Sequence, residues 1–298
     1  MHVFITGATG WVGSPIVREL IGAGHRVTGL VRSESNGAAL SAMGATPLLG
    51  SLDDLDLLRK GAAEADGVIH TAFGIDFSKI AEMSQQERRV IEAFGEVYEG
   101  SDRPIIATSG FALLPRGGTF TEDMPLPPIN PAFPRAPEHS IMTVADRGVR
   151  ATVVRLPRSV HGRGERHGFV PMLAAVAREK GVSAYVGDGD NLWPSVHRLD
   201  AARVFCLALG RSAQGGPFHA VADQGVPFKR IAEAIGRQLG TPARSLTPEE
   251  AGAHFGPLAM WVAGNGPASS ERTRERLGWK PEEADLIADI DHPDYFRL

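Results

Sequence analysis

Short runs of β-branched and aliphatic residues alternate with amphipathic stretches through the first half of the chain. Val3, Phe4 and Ile5 form an apolar run, and Ile16, Val17, Leu20 and Ile21 then fall at helical spacing. Similar runs predict strands over 26–31, 46–49, 67–72, 104–108 and 149–155. Helices are predicted over 54–63, with Asp53 as the cap, and over 80–98. Repeated βα units with short connections predict an α/β fold, a doubly wound parallel sheet covered by helices on both faces. Ligands of such a sheet sit beyond the carboxyl ends of its strands.

The first strand runs into Thr6-Gly7-Ala8-Thr9-Gly10-Trp11-Val12-Gly13 before the first helix. Strand, glycine turn and helix are the context a dinucleotide phosphate requires. Gly7 lets the chain leave the strand in a tight turn, Gly10 removes a side chain where pyrophosphate approaches, and Gly13 permits close helix packing. The helix start adds unpaired N–H groups and a partial positive charge. At the end of the second strand, where an acidic residue would bind a ribose 2′-hydroxyl, the chain has Arg32 and Ser33. Arginine there suits a 2′-phosphate, so NADP(H) is expected over NAD(H), with Glu34 acting against it.

The glycine spacing resembles that of the extended and atypical short-chain dehydrogenases/reductases, the NAD(P)-dependent epimerase/dehydratase group, and further segments match up to about residue 202. The resemblance implies a Rossmann-type nucleotide-binding domain over 1–162 and a smaller substrate-binding lobe over 163–298. Segments around 195–224 would return to the first domain. It also implies cofactor contacts from Leu52 and Asp53 after the third strand, and from Thr71, Ala72 and Phe73 after the fourth. Thr108 and Ser109 end the fifth strand at the family's active-site serine or threonine. Pro157 and Val160 match a segment beside the nicotinamide, where His161 replaces the usual tyrosine.

Composition adds limits. A net charge of −4 gives no general attraction to nucleic acid or an anionic membrane, and no apolar run is long enough to span a bilayer. With Met1 leading directly into the first strand, no signal peptide is expected and the chain reads as cytoplasmic. The single cysteine, Cys206, lies in an apolar segment and reads as a buried structural thiol. The ten histidines form no metal-binding constellation, so no metal is expected.

The family's Tyr-x-x-x-Lys pair is missing: none of the three tyrosines has lysine four places on, and the window 130–138 holds neither residue. Arg135 could take the lysine's ribose contact, but arginine cannot trade a proton. Ser109, His161 and Tyr185 are the candidate catalytic residues, each with a structural alternative: a turn or cap at Ser109, packing at His161 and a buried strand at Tyr185. Asp200 is expected to cap a helix and pair with His197. Trp193, at an expected loop tip, is either a wall for a hydrophobic substrate or surface packing, and Met260 and Trp261 could cover the pocket. The resulting expectation is an NADP(H)-dependent oxidoreductase acting on a small, hydrophobic carbonyl or hydroxyl compound. An epimerase/dehydratase and a non-catalytic NADP(H) sensor are the alternatives, and the family resemblance admits a homodimer.

Overall fold

The computed structural model describes residues 1–74, 77–111, 118–131, 134–211 and 215–296. Seven parallel strands form the central sheet: β1 (His2–Thr6), β2 (Arg26–Val31), β3 (Thr46–Leu49), β4 (Gly67–His70), β5 (Ile105–Gly110), β6 (Ala151–Leu156) and β10 (Phe218–His219). Their order is β10-β6-β5-β4-β1-β2-β3. The chain therefore winds outward from β1 in one direction to β3, and from β4 in the other direction to β6. The reversal lies between β1 and β4, which places the ligand crevice there.

Helices α1 (Gly13–Gly22), α2 (Glu34–Ala42) and α7 (Arg198–Arg211) cover one face. Helices α3 (Leu55–Ala63), α4 (Ile80–Tyr98) and α5 (Pro137–Ala145) cover the other. The fully buried Val3 and Ile5 pack toward the first layer, and Phe4, on the opposite pleat, toward the second. Such two-sided burial explains why the sheet strands read as continuous apolar runs.

A second core lies under α6 (Phe169–Lys180) and α8 (Phe228–Leu239). Beside it run β8 (Ser183–Val186) paired with β12 (Ala243–Leu246), and the sheet β11-β9-β7. In that sheet β7 (Ser159–His161) is parallel to β9 (Leu192–His197), which pairs antiparallel with β11 (Asp223–Pro227). No helix among the described residues is long and apolar enough to cross a membrane.

Several local expectations are corrected. Asp54, not Asp53, caps α3, accepting the Leu57 N–H at 3.0 Å. The fourth strand ends at His70, before Thr71. Asp200 does not cap α7, which begins two residues earlier. Its buried carboxylate accepts from Arg203 at 2.6 Å and from the Glu282 and Glu283 N–H groups at 2.9 and 3.0 Å. His197 instead uses Nδ1 to accept the Leu199 N–H at 3.3 Å. Trp193 is no loop tip: it lies inside β9, fully buried against Phe169 and Phe228. Cys206 is half-buried, and desolvation pushes its thiol well above the usual range.

Candidate active site

The glycine turn has the geometry expected of it. Gly7 sits at φ +76°, and a Cβ there would meet the Thr71 hydroxyl at 2.7 Å and the Ala72 amide nitrogen at 2.8 Å. Gly13 is tighter still, because an added Cβ would lie 1.9 Å from the Gly7 carbonyl oxygen. Gly10 is exposed and would meet only that carbonyl, at 3.1 Å, so its outer side is open. Thr9, half-buried, stands beside it. With Val12 at its N-cap, α1 begins at Gly13, where the Ser14 N–H turns back to the Gly10 carbonyl at 2.9 Å and Pro15 carries no N–H. Turn and helix start thus leave a cradle suited to a pyrophosphate.

Around this cradle, Thr6 pairs in register with His70, and their side chains meet at 2.6 Å (Oγ1 to Nδ1). Burial, with Arg135 adding to it, pulls the His70 imidazole down to about 3. Thr71 donates its hydroxyl to the Thr6 carbonyl at 2.9 Å, which fixes the chain entering Ala72 and Phe73. Arg135 stacks over the Phe73 ring at 4.0 Å. Its guanidinium is held by Glu87 at 2.9 Å and by the Thr108 carbonyl at 3.3 Å. Within the 130–138 window, residues 132 and 133 lie outside the described residues.

Arg32 is exposed and has no hydrogen bond or ion pair among the described residues. Ser33 is already employed as the cap of α2, accepting the Asn36 N–H at 3.3 Å. Leu52 packs on the core under α3 and α4, while Asp53 accepts from Gln86 at 2.6 Å. Val160 is tied to the glycine turn directly: the Trp11 indole N–H donates to its carbonyl at 2.6 Å. Pro157 lies on the connection between β6 and β7, three residues before Val160, which is inside β7.

The three proton-donor candidates occupy separate sets of contacts. Ser109 is buried, and its hydroxyl donates to Glu138 Oε1 at 2.6 Å. Glu138 in turn receives Arg155 through Nε at 3.0 and 3.1 Å and Nη2 at 2.7 Å. His219 completes the group, with Nε2 at 3.2 Å from Arg155 Nη1 and Nδ1 at 2.7 Å from the Ser269 carbonyl. The carbonyl takes the Nδ1 proton, so Nε2 accepts from arginine. Ser109 and His219 both pair in register with Arg155 across β5, β6 and β10, which sets the three side chains in one row.

His161 is fully buried, with Nδ1 2.8 Å from Asp289 and Nε2 without a partner among the described residues. Tyr185 lies on β8 in the second lobe, its ring against Gly189 and facing the Lys229 ammonium at 5.7 Å. Sequence reasoning missed Glu138 and Asp289, the carboxylates that claim Ser109 and His161. Arg155 was the available signal, since a charged residue within a buried strand demands a buried partner.

The model of the NAD dependent epimerase/dehydratase family matches residues 3–221. The chain belongs to this family. An uncharacterized protein of Schizosaccharomyces pombe, C2A9.02, is 51% identical over 99% of this chain and 100% of its own length. The sterol-4-alpha-carboxylate 3-dehydrogenase, decarboxylating, of Dictyostelium discoideum is 26% identical, covering 77% of this chain and 74% of that one. Among solved structures, a nucleoside-diphosphate-sugar epimerase from Pseudomonas aeruginosa superposes with a TM-score of 0.78 at 18% identity, over 100% of this chain and 97% of that one. This last likeness is one of fold.

Pro137 opens α5, the helix that follows β5, and Glu138 comes next on it. The second lobe brings Trp261, half-buried, beside Phe169 at 5.8 Å. Arg158 donates to the Trp261 and Gly264 carbonyls at 3.2 and 3.0 Å, and Met260 is exposed. Among the described residues no group of histidines, cysteines and carboxylates is placed to hold a metal ion.

Proposed function

We propose that the protein is an NADP(H)-dependent oxidoreductase acting on a small carbonyl or hydroxyl compound. The observation that carries this reading is the glycine cradle opening beside a free, exposed Arg32. In it, the turn from Gly7 to Gly13 and the start of α1 hold the pyrophosphate, and Arg32 takes the 2′-phosphate with paired N–H donors. Ser33 contributes its backbone at the head of α2, since its hydroxyl is spent on the cap. Leu52 and Asp53 flank the adenine, Thr71, Ala72 and Phe73 the ribose, and Thr108, Pro157 and Val160 the nicotinamide. Bound nicotinamide supplies hydride transfer.

This chain's residues would orient the carbonyl and shield it, while water brings the proton. The Ser109 hydroxyl is committed to Glu138, Tyr185 is packed in the second lobe, and His161, held at Nδ1 by Asp289 with Nε2 unpartnered among the described residues, is fully buried. With Trp193 inside the core, the case for a hydrophobic substrate passes to Trp261 and the exposed Met260.

The same commitments favour a second reading, a non-catalytic NADP(H) sensor. Purified protein titrated with NADPH, then followed for nicotinamide oxidation across aldehydes and ketones, separates the two. Saturable binding with turnover of at least one carbonyl supports the reductase. Tight binding without turnover across the panel supports the sensor, and no saturable binding of NADPH overturns both.

A further inference from the structure

A cavity of about 240 Å³ is walled in part by Arg163, His197, Arg198, Glu283, Asp289 and His292. It opens where β7 and β9 end together, because His161 and His197 pair in register there with rings 5.5 Å apart. Its carboxylates are already answered: Asp289 by His161 at 2.8 Å, and Glu283 by Arg203 at 2.8 Å. Its arginines are not. Arg163 is exposed, and neither it nor half-buried Arg198 has a hydrogen bond or ion pair among the described residues. Burial, with the Arg18 charge adding to it and Asp289 opposing, pulls the Arg198 guanidinium below its ordinary range. His197 accepts at Nδ1, which leaves Nε2–H as a donor in the neutral ring.

Two unanswered guanidinium forks and an imidazole donor around one cavity suit a small anion with two charges. The geometry points to a binding site for a phosphate group, free or as a phosphomonoester, coupled to the nucleotide turn through Arg198. The coupling path is short: Arg198 lies over the Trp11 ring at 4.2 Å, and Trp11 sits between Gly10 and Gly13 with its indole tied to Val160. An anion that draws Arg198 away and neutralises it removes positive charge from beside the pyrophosphate cradle. Anion and dinucleotide should then weaken each other reciprocally.

The coupling rests on the dinucleotide reading above, whereas the anion site does not, and calorimetry on the full-length protein in phosphate-free buffer tests them separately. Inorganic phosphate and glycerol 3-phosphate are titrated first without nucleotide, into the unaltered chain and into Arg163→Gln. Saturable binding weakened roughly tenfold or more in Arg163→Gln is expected, as for the loss of a charge-assisted contact. The tighter of the two probes identifies the source of the phosphate. Arg163 is an exposed loop residue, and an unchanged circular dichroism spectrum certifies that the variant is folded. NADPH is then titrated with and without saturating anion, and a Kd raised about fivefold in the unaltered chain is expected. No saturable anion binding, or equal binding by Arg163→Gln, overturns the site. An equal anion effect on NADPH in both proteins means competition at the nucleotide's own phosphate seats, and overturns the coupling. Anion binding in a chain that binds no dinucleotide upholds the site while sinking the proposed function.

Discussion

A methyl group added at Gly13 would lie 1.9 Å from the Gly7 carbonyl, and the obstacle is backbone that cannot step aside. Gly13→Ala is therefore expected to abolish saturable NADPH binding in a fluorescence titration and to lower the thermal midpoint. Arg32 poses the opposite case, an exposed side chain that the described fold does not use. Arg32→Ala should leave the midpoint unchanged and raise the NADPH Kd about tenfold or more, the loss of one charge-assisted contact, with NADH little affected. Equal losses for both dinucleotides would remove the 2′-phosphate assignment. The fit at Gly13 was legible in the sequence because a turn needs its glycines at fixed offsets, and the place of Arg32 follows from the strand end just before it. Ser33 and Asp53 were less legible, since a short polar residue near a helix start can cap, pair or bind with equal ease.

The row Ser109, Arg155 and His219 belongs to the scale of elements, because three parallel strands in register create it and α5 closes it with Glu138. Removing one partner of a buried pair leaves the other charge stranded. Glu138→Gln should cost about 3–5 kcal/mol in urea unfolding. Ser109→Ala removes a single hydrogen bond and should cost about 1 kcal/mol. If water brings the proton, turnover by Ser109→Ala stays within about a factor of ten of the unaltered enzyme, since a positioned acid contributes at least 10². A larger fall would return Ser109 to the chemistry. Strand positions were readable from apolar periodicity, yet α2 was not, because the apolar residues of Glu34–Ala42 form no stripe. Periodicity also says which face a residue takes, not which residue it meets there. The part Glu138 plays was invisible for that reason.

At the scale of the whole molecule, buried titrating groups set the pH range of the fold. Burial, with Asp289 adding to it and the Tyr295 hydroxyl bond opposing, pushes the Glu165 carboxyl from 4.5 up to about 8. Between those values the folded chain holds a proton that the unfolded chain releases, so stability falls as pH rises through the window. His70 and His219 act in the other direction. Burial holds them at about 3 and about 4 against an ordinary 6.5, so below 6.5 the unfolded chain binds protons that the fold refuses. Stability is then lost as pH falls. Thermal midpoints across pH 4 to 8 should trace a dome, and Glu165→Gln should flatten its alkaline side; a slope unchanged in that variant would exclude Glu165 as its source. The sequence by itself determined the doubly wound sheet, the glycine cradle and the family, because strand runs and glycine offsets act over a few neighbouring residues. Only the tertiary structure decided what Ser109 and His161 are free to do. Glu138 stands 29 residues from Ser109, and Asp289 stands 128 residues from His161. Such partners meet only when the sheet and its second lobe have closed around them.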